Sequence, residues 1–409
     1  SRRPLPLNTV AMLKMASDEL GLGPGDTMHY AEQLYLKGVL SYPRTETDKY
    51  PENFDLVATV RSIGAPSAPW SSHAQRLLQE GINQPRADGH DVGDHPPITP
   101  VKMATRSQCG DEAGWVLYQA ICTRFLGTVS PDAVFEEGEV CLELGGEVFV
   151  TTSSRCLSKG WMEIEDRDTS NNGPVDLKQF VGREGEVVPI ADVAVSEHRT
   201  RAPGHLTESE LLSQMDVHGI GTDASMAQHV SNVQKRSYVT INESTRELVP
   251  SALGLALAHG YMLVDPSLLL PSVRARIENA CTQVARGSVT KDAVITRTIR
   301  IFERKMYHFA MRIDKVPLML ACAHAIENGR QATGGAAAEG MALWREAELM
   351  HRKVTLEELL VEKDRVELEA EAEGEVDMAA IKVEERTDVV RRVQQALEEL
   401  GMGAPDPPP

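Results

Sequence analysis

Apolar residues recur at helical spacing through 7–20, which predicts an amphipathic helix with Asn8 or Thr9 at its cap. The glycine-containing stretch 21–25 ends it, and a second helix is expected from about 28 to 37. Further helical patterns cover about 54–63, 71–79 and 107–127, separated by loop-rich stretches at 51–53 and 85–100. From 134 to 164 the period shortens to that of strands. The runs 139–143 and 148–151 flank Leu144-Gly145-Gly146, a hairpin signal. A breaker cluster at 170–174 follows, then strand-like runs at 186–190 and 193–197. Helical texture returns at Thr207, where Thr207 and Glu210 fit a capping box, and continues through 224–236, 251–261, 271–286 and 290–312. An Ala/Gly-rich stretch at 331–340 leads into a Glu-rich, solvated tail from about 342 to 400, helical or partly disordered.

These patterns predict a multidomain α+β chain that is mainly helical. The expected domains are a helical domain at 1–130, a β-rich domain at 131–200, a helical domain at 201–313 and an acidic tail at 314–409. With 409 residues, 42% of them hydrophobic, the chain is long enough to bury several cores. It shows no run of about 18 apolar residues and no signal-peptide texture at Ser1 to Pro4, so a place inside the cell, away from membranes, is expected. The cysteines form no C-x-x-C pair, which argues against a zinc ribbon or a disulfide framework.

The net charge of -18 would by itself speak against nucleic acid, because Lys and Arg carry phosphate affinity. Its distribution changes the picture: 21 acidic and 11 basic side chains from 314 to 409 give -10, leaving -8 for the first 313 residues. A DNA groove would then be a local basic feature, or one completed by residues outside this chain.

Tyr42 stands out by its context. In Ser41-Tyr42-Pro43-Arg44-Thr45-Glu46-Thr47, proline disfavours a helical conformation for Tyr42, which places it in an irregular, extended segment just past a helix. A phenol is a poor nucleophile at neutral pH unless a base takes its proton or a cation stabilises the phenolate. Arg44 is spaced for that second task, since residues two apart in an extended segment face the same side. Its planar fork can bond two phosphate oxygens while charge builds on them.

The segment SYPRTETDKYPENFDL resembles the active-site segment of the eukaryotic topoisomerase III family of type IA DNA topoisomerases, in its beta form. Gly93-Asp94-His95-Pro96-Pro97-Ile98-Thr99-Pro100 resembles the family's second signature and the stretch 206–239 its third, in the family's order. The resemblance runs from about Arg3 to Ile313. It implies a type IA central region with a tyrosine domain, a β-rich hinge domain and a helical fourth domain. By it Tyr42 would link covalently to the 5' phosphate of a cleaved single strand, Arg44 would position that phosphate, and His95 would bind it and join the hydrogen-bond network around it. Around Gly219-Ile220-Gly221, Thr222, Ser225 and His229 would contact the strand backbone and Arg236 would add charge. A helix cap with ordinary packing is the competing reading for half or more of these.

The family carries a Toprim domain, N-terminal to the tyrosine domain, whose acidic residues hold Mg2+; no D-x-D cluster in a strand-then-loop setting corresponds to it here. The expectation is of a piece of a longer enzyme whose ring around DNA is open without that domain. The resemblance further implies ATP-independent cleavage and religation of single-stranded or underwound DNA, with RNA as an open alternative and a Tudor-domain protein as a partner. It implies a nuclear location and leaves a cytoplasmic one open. A second reading stays beside it: a truncated homologue that binds single strands or a partner protein without chemistry. A tyrosine recombinase is disfavoured, because it would carry its tyrosine near the C-terminus, behind several Arg and His residues.

Overall fold

The structure is a computed structural model that describes residues 1–165, 167, 184–190, 192–223, 225–312, 315–316, 319–320, 323, 340–345 and 347. The chain forms two compact units, one of Ser1–Leu212 with Asp223–Gln228, the other of Ser213–Thr222 with His229–Pro409.

The first unit is built on helices α1 (Thr9–Leu20), α2 (Pro24–Leu36), α3 (Leu56–Ile63), α4 (Ser71–Glu80), α5 (Arg106–Cys109) and α6 (Glu112–Thr128). Asn8 caps α1 by accepting the Ala11 N–H at 2.9 Å, and Gly21 ends it in the left-handed conformation, as the sequence pattern anticipates. The expected helix over 107–127 is two helices, because Gly110 at φ +97 breaks the chain and Asp111 opens α6 by accepting the Gly114 N–H at 3.0 Å. Helix α6 packs against α1 and α2, and Leu117, Tyr118, Ile121, Phe125 and Leu126 of α6, Met12 and Leu13 of α1 and Ala31 and Leu34 of α2 are all buried. Strands β1 (Val134–Leu144) and β2 (Glu147–Ser158) form an antiparallel hairpin closed at Leu144 and Glu147. Gly145 and Gly146 turn it with φ of +64 and +88, the two left-handed residues that a type I′ turn requires.

The strand-like runs at 186–190 and 193–197 form no strands. Pro189 lacks an N–H within the first run, and neither run has a ladder partner among the described residues, without which alternation alone builds no sheet.

Helix α7 (Glu208–Val217) opens with the expected capping box: Thr207 Oγ1 accepts the Glu210 N–H at 3.1 Å, and Glu210 accepts the Thr207 N–H at 2.8 Å. Helix α8 is Met226–Lys235. The second unit contains the short hairpin β3 (Val239–Ile241) and β4 (Leu248–Pro250), then α9 (Ala252–Val264), α10 (Pro271–Ala285) and α11 (Lys291–Arg312). Its core gathers Ala256 and Leu263 of α9 with Met319, Ala323, Trp344 and Ala347. The breaker cluster at 170–174 and nearly all of the Ala/Gly-rich and Glu-rich stretches lie outside the described residues.

Candidate active site

Tyr42 follows α2 by six residues, in the irregular segment that its proline demands. The chain leaves the helix through Gly38 at φ +65, and Val39 and Leu40 are buried, pinning the start of the segment. From there the segment pairs antiparallel with the 90–100 segment. Leu40 forms a bridge with Pro100, and the Ser41 N–H donates to the Thr99 carbonyl at 2.9 Å. The Thr99 N–H in turn donates to Ser41 Oγ at 2.8 Å. Further along, the Asp48 N–H donates to the His90 carbonyl at 3.0 Å. The two sequence signatures thus run side by side as an irregular two-strand ribbon.

The middle of that ribbon is tied by Asp94. Its carboxylate accepts the Glu46 N–H at 2.9 Å and the Thr47 hydroxyl at 2.6 Å. The Thr45 hydroxyl donates to the His95 carbonyl at 2.6 Å and lies 3.2 Å from Asp94 Oδ1. Burial pushes the Asp94 carboxyl up, but the bonds from Thr47, the Glu46 and His95 N–H groups and Thr45 outweigh it and hold the group below the usual carboxylate range. Thr9, fully buried at the first position of α1, secures the other side: its hydroxyl lies 2.8 Å from the Pro43 carbonyl and accepts the Thr45 N–H at 2.9 Å.

This pairing brings His95 onto Tyr42, with ring centroids 4.6 Å apart and planes at 63°. On its other flank Tyr42 meets Tyr35 of α2 edge-on at 5.2 Å. Arg44 turns to the same helix, where its Nε and Nη2 donate to Glu32 Oε1 at 3.0 and 2.5 Å. Glu32 and Tyr35 are three apart and share one face of α2. Tyr42 and Arg44 thus each contact a residue of α2. Tyr42 is half-buried and His95 exposed.

Of the sequence candidates, Tyr42, Arg44 and His95 share this ribbon. Thr222, Ser225, His229 and Arg236 lie elsewhere along the chain. Gly219 and Gly221 make the turn before Thr222 with φ of +62 and +82. Ser225 directly precedes α8, His229 lies within that helix with Nε2 buried and no hydrogen-bond partner among the described residues, and Arg236 is exposed just beyond its end. Glu32, Tyr35, Thr9 and Asp94 also contact the Tyr42 segment. Only Asp94 carried a signal, its place beside His95 in the second signature. For Mg2+, no group of three or more His, Cys, Asp or Glu side chains is arranged to hold a metal among the described residues.

A family model described as DNA topoisomerase matches residues 1–296. Human DNA topoisomerase 3-beta-1 is 42% identical over 308 residues, 75% of this chain and 35% of that protein. Arabidopsis thaliana DNA topoisomerase 3-beta is 43% identical over 318 residues, with 76% of this chain and 35% of that protein covered. Full-length topoisomerase I from Thermotoga maritima, 22% identical, matches in fold with a TM-score of 0.56 over 74% of this chain and 50% of that one. The chain belongs to the DNA topoisomerase family, of the type IA kind. Within that family it is topoisomerase III beta-like, and it spans about a third of the length of the curated relatives it matches.

Proposed function

We propose that this chain supplies the nucleophile of a type IA topoisomerase acting on single-stranded or underwound DNA. Tyr42 Oη attacks a backbone phosphorus, the bond from phosphorus to the 3' oxygen breaks, and a Tyr42–phosphate–5' link forms. The phenolic proton leaves the tyrosine and the departing 3' oxygen gains one, so the exchange is balanced. One phosphodiester is traded for another, so attack by the 3' hydroxyl reseals the strand without ATP. Between the two steps another strand passes.

Arg44 offers the charge and fork geometry that a pentavalent phosphate needs, and Glu32 holds that guanidinium beside the phenol's segment. His95, edge-on to Tyr42, contributes a hydrogen-bonding group at the attacked phosphate. Thr222, Ser225 and His229 would contact the strand backbone and Arg236 would add a positive charge. We read 1–130 as the tyrosine domain, 131–200 as the hinge and 201–313 as the helical DNA-binding part. In the family the Mg2+ ligands belong to the Toprim domain. RNA as a second substrate, a Tudor-domain partner and a nuclear location extend the same reading from the beta-type likeness.

The observation that carries the proposal is the contact of Tyr42 with His95 inside a ribbon made from two family signatures. The test mixes the purified chain with end-labelled single-stranded DNA and Mg2+, with and without a Toprim fragment from a relative, and looks for an SDS-stable adduct. An adduct lost in Tyr42→Phe supports the proposal. DNA binding with no adduct in either mixture overturns it in favour of a binding module without chemistry.

A further inference from the structure

We infer that Asp94 is a positioning residue for strand cleavage, fixing the Tyr42 segment against His95 through Thr45, Glu46 and Thr47. This rests on the proposed function. Asp94 Oδ2 takes the Glu46 N–H at 2.9 Å and Oδ1 takes the Thr47 hydroxyl at 2.6 Å, so both oxygens grip the tyrosine segment. Thr47 Oγ1 also accepts the Val92 N–H at 3.2 Å, and Thr45 donates to the His95 carbonyl at 2.6 Å. One carboxylate thus stands at the centre of a lattice joining 45–47 to 92–95. Charged acceptors form shorter and stronger bonds than neutral ones, which suits a tie that is exposed to water.

The lever from this tie to the chemistry is short. His95 is the next residue after Asp94, and Tyr42 is three residues before Thr45 with Pro43 between, whose ring fixes one backbone dihedral. A shift at Asp94 therefore reaches the Tyr42–His95 contact with little slack to absorb it. A carboxylate beside a polyanion is electrostatically unfavourable. Its converging donors offset part of that charge. A neutral side chain would avoid the repulsion but could not accept the same set of bonds, so the role points to geometry and away from DNA affinity.

The test uses the full chain with a relative's Toprim fragment, Mg2+ and labelled single-stranded DNA, comparing wild type, Asp94→Asn, Thr47→Val, His95→Ala and the Asp94→Asn/His95→Ala double variant. Asp94→Asn should slow adduct formation at saturating DNA on the order of 10- to 100-fold while DNA affinity stays within about twofold. Thr47→Val, which deletes a single tie, should slow it less and in the same direction. In the His95→Ala background the Asp94→Asn penalty should shrink severalfold, because both changes disturb one contact. A second readout needs no DNA: nitration of Tyr42, mapped by mass spectrometry, should rise severalfold in Asp94→Asn as the ring is released. Wild-type rates in a folded Asp94→Asn, or a penalty seen wholly in DNA affinity, overturn the inference and leave the proposed function standing. Should Asp94→Asn fail to fold, wild-type rates in Thr47→Val overturn it. If wild type gives no adduct at all, the proposed function falls, and unchanged nitration at Tyr42 overturns the inference as well.

Discussion

The His95 imidazole lies edge-on to the Tyr42 phenol, ring centroids 4.6 Å apart, although 53 positions of sequence separate the two residues. Antiparallel pairing of their segments produces the contact: Ser41 binds Thr99 near one end and Asp48 binds His90 near the other. If His95 serves the attacked phosphate, His95→Ala should lower the rate of adduct formation by about 10²-fold at saturating DNA. Single-turnover cleavage measures this, and the melting temperature should scarcely move because His95 is exposed.

Arg44 tests the need for a fork as distinct from a charge. Arg44→Lys keeps the cation but gives up the planar pair of donors, and Arg44→Ala removes both. Adduct formation should fall by about tenfold in the first and by roughly 10²- to 10³-fold in the second, a gradient that rate measurements at fixed salt resolve. Equal rates for wild type and Arg44→Lys would leave only a charge effect.

Thr9 ties α1 to the tyrosine segment from below. Its buried hydroxyl serves the Pro43 carbonyl and the Thr45 N–H, so Thr9→Val leaves those groups without partners. Urea unfolding should show a loss of about 1–3 kcal/mol. A change within a few tenths would mean that water or rearrangement replaces the bonds.

His73 gives the fold a pH dependence. Arg76 donates to its Nδ1 at 2.8 Å, so Nε2 carries the proton and faces Ser130 Oγ at 2.9 Å. Burial, followed by the Arg76 charge, pushes its pKa below the ordinary 6.5, with Glu163 opposing. The folded state thus favours neutral His73. Its contribution to stability is complete above about pH 6.5 and is lost as the pH falls through the depressed folded value. The melting temperature should fall between pH 7 and pH 5, and the fall should be smaller in His73→Gln. Equal slopes for the two proteins would contradict this assignment.

Much of this was legible in the sequence, and what was not has physical causes. The α1 cap at Asn8, the Thr207–Glu210 capping box and the Gly145-Gly146 turn are local devices written in adjacent residues, and all three form. Tyr42 could be placed in an extended segment from Pro43 alone. The short β3–β4 hairpin escaped because three-residue strands carry too little alternation to register. The runs at 186–190 and 193–197 have strand texture but form no strands, because strand propensity is realised only with a hydrogen-bonding partner. The same limit explains the site. Tyr42, Arg44 and His95 sit in recognisable motifs, whereas Glu32, Tyr35 and Thr9 act through tertiary proximity that no local spacing announces. Asp94 was in view within the second signature. Its role became apparent only once 45–47 lay alongside it.

Peptide mapping of the covalent adduct shows directly whether Tyr42 is the nucleophile. Cleavage of labelled single-stranded DNA is stopped with SDS, the adduct is digested with protease and nuclease, and the nucleotide-bearing peptide is sequenced by mass spectrometry. The expected result is a nucleotide joined through its 5' phosphate to Tyr42, on the peptide that contains Pro43 and Arg44. A label on any other residue, or a phosphate joined through its 3' end, would contradict it.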